Sequence, residues 1–374
     1  METRQTIQRN SRLELLRILC MLMIVTYHYS IYGFYSDDVL FSSNKTLIEL
    51  LSLGGETGVS VFVLISGYYM VSSRYSSRYS FRKFMLYLGQ IWFYTIGALL
   101  LFLLVFPRSG LVDRSMISMS LLPLSKGHYW FATSYFVLML LSPFLNVFIS
   151  KASRSQLLAA IWTLLGVYLL LPTFFDIYLT HSTIARFLTL YLTAGYIRLY
   201  SAGRPGRFRR HLAVTLALAA FAVLWITAAN LLGRRLNNAF LLNHANVFSH
   251  SMLFAYAMAL ALFLVFVSAS PCCSKSINRL AALTFGVYLF HENQLLRSMW
   301  QSIFKTAQFV NSPWLPLHAL CAIVSVYVAG SLLEFLRQHT FGRLWETMTD
   351  RLFVPLWNRL AGFVHGQLQR QGIE

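Results

Sequence analysis

The fold is decided by residues 13–34, which read LELLRILCMLMIVTYHYSIYGF. A helix of this length rises about 33 Å, which matches the thickness of the hydrocarbon core of a bilayer. The run is too long for the apolar part of a cleaved signal peptide, and no small-residue cleavage pattern follows it. We therefore expect a permanent transmembrane helix near the amino end of the chain.

Nine further apolar runs approach the ~20 residues that a helix needs to cross a bilayer. They lie near 47–71, 81–106, 128–150, 156–175, 184–201, 211–231, 248–269, 278–301 and 314–337. The composition agrees, because 57% of the residues are hydrophobic and only 12% are charged, which is too little charge to cover a soluble domain. The sequence thus predicts an all-α polytopic membrane bundle of about ten transmembrane helices.

The Lys and Arg side chains are divided unequally between the two sides of this bundle. With the amino terminus inside, 21 of the 31 fall in inner segments and 9 in outer ones, and Arg17 lies within the first helix. The positive-inside rule then places both termini in the cytoplasm. Because the net charge of +18 sits mainly in these short segments, we expect no nucleic-acid partner.

The segment 338–374 differs from the spans. Its apolar residues recur at helical spacing between interleaved arginines, which predicts a basic amphipathic helix on the inner leaflet. We therefore expect a transmembrane domain at 1–337 and a cytoplasmic tail at 338–374. The four cysteines fall in no predicted external loop, so no disulfide framework is expected.

Three ionisable residues lie in the first span: Glu14, Arg17 and His28. Arg17 and His28 are about 20° apart around a helix and roughly 16 Å apart along it, and Glu14 is placed to pair with Arg17. Two interpretations fit. His28 could be a general base deep in the membrane, above a cytoplasmic cation. Alternatively, Arg17 reaches the lipid headgroups and His28 hydrogen-bonds within the bundle.

Four motifs occur in order along the chain. They are Arg17 and His28 with ten residues between them, FVLISGY at 62–68, GHYWF at 127–131 with LSPFL at 141–145, and GVYLFH at 286–291. The first is similar to the Arg/Lys-x10-His signature of the membrane acyltransferase-3 family. The third is similar to the Trp-Phe…Pro stretch of its exopolysaccharide-modifying branch, and the ordered set covers essentially the whole chain.

The resemblance implies acyl transfer, usually of acetyl, from cytoplasmic acyl-CoA to a hydroxyl of an extracytoplasmic or lipid-linked glycan. Membrane lipids, acyl-CoA and a carbohydrate acceptor are then the expected partners, no metal is required, and the location is a bacterial cytoplasmic membrane. The resemblance assigns donor contact to Arg17 and the catalytic base to His28. The Trp-Ser-Leu-x-x-Glu variant of one motif is replaced by WFATSY at 130–135, which leaves open whether a carboxylate assists His28.

Arg74, Arg78 and Arg82 recur every four residues on the predicted cytoplasmic side. On a helix they share one face. They are either part of the positive-inside signal or a cradle for the CoA phosphates, since Arg suits bidentate phosphate contacts.

Four residues are candidates for the acceptor site. His128 and Trp130 sit at the predicted outer interface, where they either anchor the protein or contact the glycan. His291 and Glu292 are consecutive polar residues inside the predicted ninth span, where they either form an interhelical hydrogen-bond network or line the acceptor site. We expect Glu56, near the outer interface, to be structural.

A different class of protein uses similar features. Buried charges also line the substrate path of a transporter or glycan flippase, and membrane glycan polymerases form a third class. The chain shows no inverted repeat, and its predicted outer loops are short, so we favour the enzyme.

Overall fold

The computed structural model describes residues 10–33, 39–40, 42–72, 77–175, 182–201 and 207–370. Over these ranges the chain is helical and forms no strand, which confirms the all-α class. The α-helices are α1 Ser11–Tyr32, α2 Lys45–Ser52, α3 Gly55–Met70, α4 Ser77–Val105, α5 Arg114–Leu121, α6 Trp130–Lys151, α7 Arg154–Leu165, α8 Leu171–Phe174, α9 Thr183–Tyr196, α10 Phe208–Arg235, α11 Ala239–His244, α12 Val247–His250, α13 Met252–Ser268, α14 Lys275–Ala281, α15 Thr284–His291, α16 Gln294–Phe304, α17 Leu315–His339, α18 Phe341–Met348 and α19 Val354–Arg370. Turns of π- or 3-10-helix cover Gly166–Leu170, Ile197–Ser201, Thr306–Phe309 and Thr349–Phe353.

Seven helical segments in these ranges are long and apolar enough to cross a membrane. They are Ser11–Tyr32, Lys45–Met70, Ser80–Val105, Trp130–Lys151, Arg154–Thr173, Phe208–Arg235 and Leu315–His339. The pair Ala239–His250 and Met252–Ser268, bent by 46°, makes an eighth if it is counted as one span. The multi-pass membrane fold is confirmed. The total of ten spans and the cytoplasmic placement of both termini remain predictions.

Two predicted spans take other forms. Over 184–201, the continuous helix α9 has only 14 residues before it passes into a π-helical turn. Neighbouring helices bury Phe187, Leu190 and Tyr191, so α9 is covered by protein as well as by lipid. Over 278–301, the prediction of one continuous run is wrong, because the chain is interrupted between α14, α15 and α16. The second interruption falls directly after His291.

Helix α1 packs against α3, α15 and α17, among other helices. It begins at Ser11, where the Asn10 side chain accepts a hydrogen bond of 3.1 Å from the backbone N–H of Arg12 and so caps the helix. Helix α3 approaches α1 very closely because a glycine faces it. A methyl group on Gly58 would lie only 2.9 Å from the carbonyl oxygen of Cys20.

The tail is helical over α18 and α19 and packs against α4. The Arg82 guanidinium donates hydrogen bonds of 2.7 Å to Asp350 and 2.6 Å to Glu346. Phe81 stacks on Trp357 with the ring centres 4.6 Å apart. These contacts hold the tail beside α4, and its location on the inner leaflet remains a prediction.

Candidate active site

His28 lies in the last third of α1 and contacts two residues of the distant motif at 286–292. Its Nδ1 atom is 2.8 Å from Nε2 of His291 and 3.3 Å from Oε1 of Glu292. Its ring also stacks on Tyr32, at 5.1 Å between ring centres and 15° between planes. Residues separated by 263 positions in the sequence thus form one cluster, which we call the His28 cluster: His28, which is partly buried, and His291 and Glu292, which are buried.

The interruption between α15 and α16 positions the two distant members of this cluster. Asn293 caps α16, because its Oδ1 accepts hydrogen bonds from the backbone N–H groups of Leu295 and Leu296. Its Nδ2 donates to the Tyr129 hydroxyl at 3.0 Å, and that hydroxyl donates to the carbonyl of Leu289 at 2.7 Å. Tyr129 therefore ties both sides of the break together. The sequence analysis did not single out Tyr129 or Asn293 for this role.

The hydrogen bonds determine the tautomers of the two neutral imidazoles. Nδ1 of His291 lies 2.7 Å from the carbonyl oxygen of Val287, which only accepts, so this nitrogen carries the proton. Nε2 of His291 is then an acceptor, and Nδ1 of His28 must donate to it. The lone pair of His28 is then on Nε2, which hydrogen-bonds no residue in the described ranges. That nitrogen is the atom that can take a proton from a substrate.

Glu292 is placed to stabilise a protonated His28. Its Oε1 atom is buried and accepts no hydrogen bond from any residue in the described ranges, yet it lies 3.3 Å from Nδ1 of His28. The Tyr32 hydroxyl interacts with both Glu292 and Arg297. A carboxylate thus stands beside His28, and it comes from a residue far from the WFATSY segment. That it assists His28 stays a prediction. The acceptor-site assignment of His291 and Glu292 remains a prediction.

Two small cavities adjoin His28. One of about 60 Å³ is lined by His28 and His291 together with Tyr32, Arg297 and Trp300. The other, of about 40 Å³, lies toward α3 and α6 and is lined by His28, Glu56 and Trp130, among others. Each has room for one or two water-sized groups.

The same cluster could also hold a metal ion. His28, His291 and Glu292 offer two imidazole nitrogens and one carboxylate oxygen within 4.8 Å of one another. Such a ligand set is typical of Zn²⁺. The direct contact between the two imidazoles also fits a proton relay. Sensitivity of the activity to chelators separates a metal site from a relay.

Arg17 stands at the other end of α1, which the loop charges predict to be cytoplasmic. As expected, it pairs with Glu14, at 3.2 Å, and its side chain is 25% exposed. Its guanidinium also lies 5.9 Å from the centre of the Tyr69 ring. A second cation, Arg198, lies 4.6 Å from the ring centre of the adjacent Tyr68. Arg198 is one of the 21 Lys and Arg residues that the predicted topology places in inner segments.

The other three residues predicted to bind the donor are Arg74, Arg78 and Arg82, and the structure describes the side chain of Arg82 alone among them. Arg74 and the side chain of Arg78 lie outside the described residues. Arg82 is engaged by Asp350 and Glu346 of the tail, so contact with a phosphate would require it to share or exchange these partners. Donor binding by all three stays a prediction.

His128 and Trp130 differ in their surroundings. His128 is buried, and neither of its ring nitrogens hydrogen-bonds a residue in the described part of the chain. Trp130 is 39% exposed and lies 5.9 Å from the guanidinium of Arg186. Arg186 in turn donates to the Glu56 carboxylate in a short ion pair. Glu56 and Arg186 come from α3 and α9, so their pairing could not be read from either segment alone.

A comparison with known families identifies the family of the chain. A family model described as an acyltransferase domain matches residues 10–334, which include the His28 cluster and Arg17. The chain belongs to the membrane acyltransferase-3 family and is a multi-pass membrane acyltransferase. Comparisons with curated proteins and with solved structures gave no match.

Proposed function

We propose that this acyltransferase transfers an acyl group, acetyl being the usual one for the family, from cytoplasmic acyl-CoA to a hydroxyl of an extracytoplasmic or lipid-linked glycan. Its location would be a bacterial cytoplasmic membrane. The donor is too polar to cross a bilayer, while the acceptor is on the other side. A bundle with a proton acceptor deep in α1 provides a place where the two substrates can meet.

The observation that supports this proposal best is the free Nε2 of His28. Because His291 and Glu292 both lie on the Nδ1 side of the ring, Nε2 is left for a substrate hydroxyl. An imidazole is suited to this role, since its ordinary pKa lies close to neutral pH. General-base assistance by such a group contributes typically 10²–10⁴-fold in rate.

The chemical steps balance without a further reagent. His28 takes the proton of the acceptor hydroxyl as the oxygen attacks the thioester carbonyl, and a tetrahedral intermediate forms. The carbon–sulfur bond then breaks, the CoA thiolate leaves, and the imidazolium returns its proton to the sulfur. Glu292, 3.3 Å from Nδ1, stabilises the imidazolium while it exists.

The donor enters at the Arg17 end of α1 in this mechanism. Arg17 and Arg198, next to Tyr69 and Tyr68, supply cationic groups for the CoA phosphates. Between Arg17 and His28 the helix face carries the buried residues Cys20, Met21 and Ile24. The thin acyl-pantetheine arm therefore has to displace packed side chains to reach His28.

The test uses the full-length protein reconstituted in vesicles with radiolabelled acetyl-CoA on one side and glycan acceptor on the other. We expect label to appear in the glycan as an ester that mild alkali releases, together with stoichiometric free CoA. The His339→Gln protein serves as a matched control for His28→Gln, because His339 is an exposed histidine at the end of α17. Glycan movement across the vesicle membrane without thioester turnover would contradict the proposal and favour a transporter.

A further inference from the structure

A third, larger cavity lies beside the 40 Å³ cavity at His28, with which it shares Glu56 and Trp130. It has a volume of about 540 Å³ and is bounded by the first turns of α6 and α9, by α8 and by the segment around α12. We call it the outer cavity, since the loop charges predict this end of the bundle to be extracytoplasmic. Its walls include the Glu56–Arg186 ion pair, the aromatic rings of Trp130 and Tyr168, and the side chains of Thr183 and His250.

We infer that the outer cavity binds one uncharged sugar ring of the acceptor, with Trp130 against the ring face and the Glu56–Arg186 pair on its hydroxyls. This inference rests on the proposed function, because it names the acceptor class of the same active site. The volume lies within the usual range for ligand sites, about 300–1,000 Å³.

The outer cavity leads toward the base. Glu56 and Trp130 line both the outer cavity and the 40 Å³ cavity that contains His28. The inner space has room for one or two groups the size of a water molecule. A sugar ring therefore stays outside, while the edge that carries the reacting hydroxyl points between Glu56 and Trp130 toward His28.

Arg186 carries a buried hydrogen-bond donor that a ligand in this cavity could satisfy. The residue is only 7% exposed, and its Nε atom is buried without a hydrogen-bond partner among the described residues. Its Nη1 atom donates to Glu56 and contacts the sulfur of Met252 at 2.8 Å. A buried N–H group without a partner is unfavourable, and a hydroxyl oxygen of a bound sugar would supply the missing acceptor.

The charges on the wall favour an uncharged sugar. Glu56 and Arg186 neutralise each other, and a sugar carboxylate placed against Arg186 would also face the Glu56 carboxylate. A sugar hydroxyl both donates and accepts, so a pair of hydroxyls can donate to the carboxylate and accept from the guanidinium at once. The other titratable groups among the described residues that line this cavity are His250, at its α12 side, and the phenol of Tyr168.

The aromatic wall suits the apolar face of a pyranose. Trp130 is 39% exposed, and Tyr168 lines the same cavity. A flat ring that is partly open to the cavity offers a large contact surface at little cost in conformational entropy. Trp162, which is 69% exposed on α7 and lies outside the walls of this cavity, provides a matched control.

The experiment measures sugar binding without any donor, so that its result does not depend on catalysis. Methyl glucoside and methyl glucuronide are titrated into the purified full-length protein, and binding is followed by saturation-transfer NMR. We expect the wild type and Trp162→Ala to bind the glucoside more tightly than the glucuronide. Trp130→Ala and Glu56→Gln should each weaken glucoside binding about tenfold.

The double variant Glu56→Arg with Arg186→Glu separates binding from a merely structural ion pair. It restores opposite charges but exchanges the positions of donors and acceptors, so thermal stability should recover while glucoside binding does not. Recovery of binding, a glucuronide preference, or equal affinities in Trp130→Ala and Trp162→Ala would overturn the inference. If the double variant does not fold, glucoside binding by Trp130→Ala and Glu56→Gln, compared with Trp162→Ala, still tests the inference. Thioester turnover by the wild type, measured separately, tests the proposed function itself.

Discussion

The two ends of α1 carry ionisable residues of the same motif in very different surroundings. At one end, His28 is held by His291, Glu292 and Tyr32 in a buried cluster. At the other, Arg17 is partly exposed, and among the described residues it forms an ion pair with Glu14 of its own helix, one turn away. The comparison teaches that the proposed base is held by neighbouring side chains, whereas the cation is left partly exposed, where a ligand can reach it. Substitutions at the His28 end should therefore change the rate of acyl transfer, and substitutions at the Arg17 end should change the affinity for acyl-CoA.

The largest effect is expected for His28→Gln. Glutamine keeps a hydrogen-bonding side chain of similar length but cannot accept a proton at neutral pH. The kcat for acyl transfer should fall by about 10²–10⁴-fold, with little change in the KM for acyl-CoA. Thermal unfolding of His28→Gln and of the control His339→Gln should be compared in parallel. A folded His28→Gln protein with normal kcat would remove His28 from catalysis.

A smaller loss is expected for Glu292→Gln. The amide retains the shape of the side chain but not the charge that stabilises the imidazolium of His28. Hydrogen bonds to charged groups contribute about 1.5–3 kcal/mol, so kcat should fall roughly 10- to 100-fold. Steady-state kinetics at saturating donor measure this effect. An unchanged kcat would show that the 3.3 Å contact has no part in the proton transfer.

At the other end of the helix, Arg17→Ala should act on affinity. Phosphate contacts are made equally in the ground and transition states, so the KM for acyl-CoA should rise, by about tenfold, while kcat changes little. Arg17→Lys should do less harm, because the charge survives while the planar guanidinium is lost. Arg359→Ala, on the exposed surface of α19, is the matched control. A selective loss of kcat in Arg17→Ala would instead connect Arg17 to the chemistry.

The smallest effect is expected from chelation. The cluster of His28, His291 and Glu292 has the atoms to bind a metal, but the proposed steps require none. Dialysis of the purified protein against EDTA and then against 1,10-phenanthroline should leave acyl transfer unchanged. If chelation abolished activity and Zn²⁺ restored it, the cluster would be a metal site and not a proton relay.

The sequence predicted the surroundings of Arg17, at one end of α1, better than those of His28, at the other. The predicted span 13–34 agrees with α1, and the expected Glu14–Arg17 pair is present, because both depend on local helix geometry. The contact between His28 and His291 depends on tertiary packing across 263 positions, which periodicity within one segment does not reveal.

The interruption after His291 was missed for a related reason. The run 278–301 is apolar over most of its length, and this favoured a continuous helix. The signal that could have indicated a break is Asn293, a residue that readily caps a following helix. Its partner Tyr129 lies 164 positions earlier, in the segment at the predicted outer interface. Likewise, the Glu56–Arg186 pair joins two segments that look ordinary when they are considered separately.

The most direct test of the central claim, that Nε2 of His28 is the general base, is chemical rescue of His28→Ala. Acyl transfer by the folded variant is measured with increasing imidazole, which can enter the space that the removed side chain leaves beside the 60 Å³ cavity. We predict a loss of about 10²–10⁴-fold without imidazole and a recovery that grows with the concentration of its neutral form. Transfer at the wild-type rate, independent of imidazole, would contradict the claim.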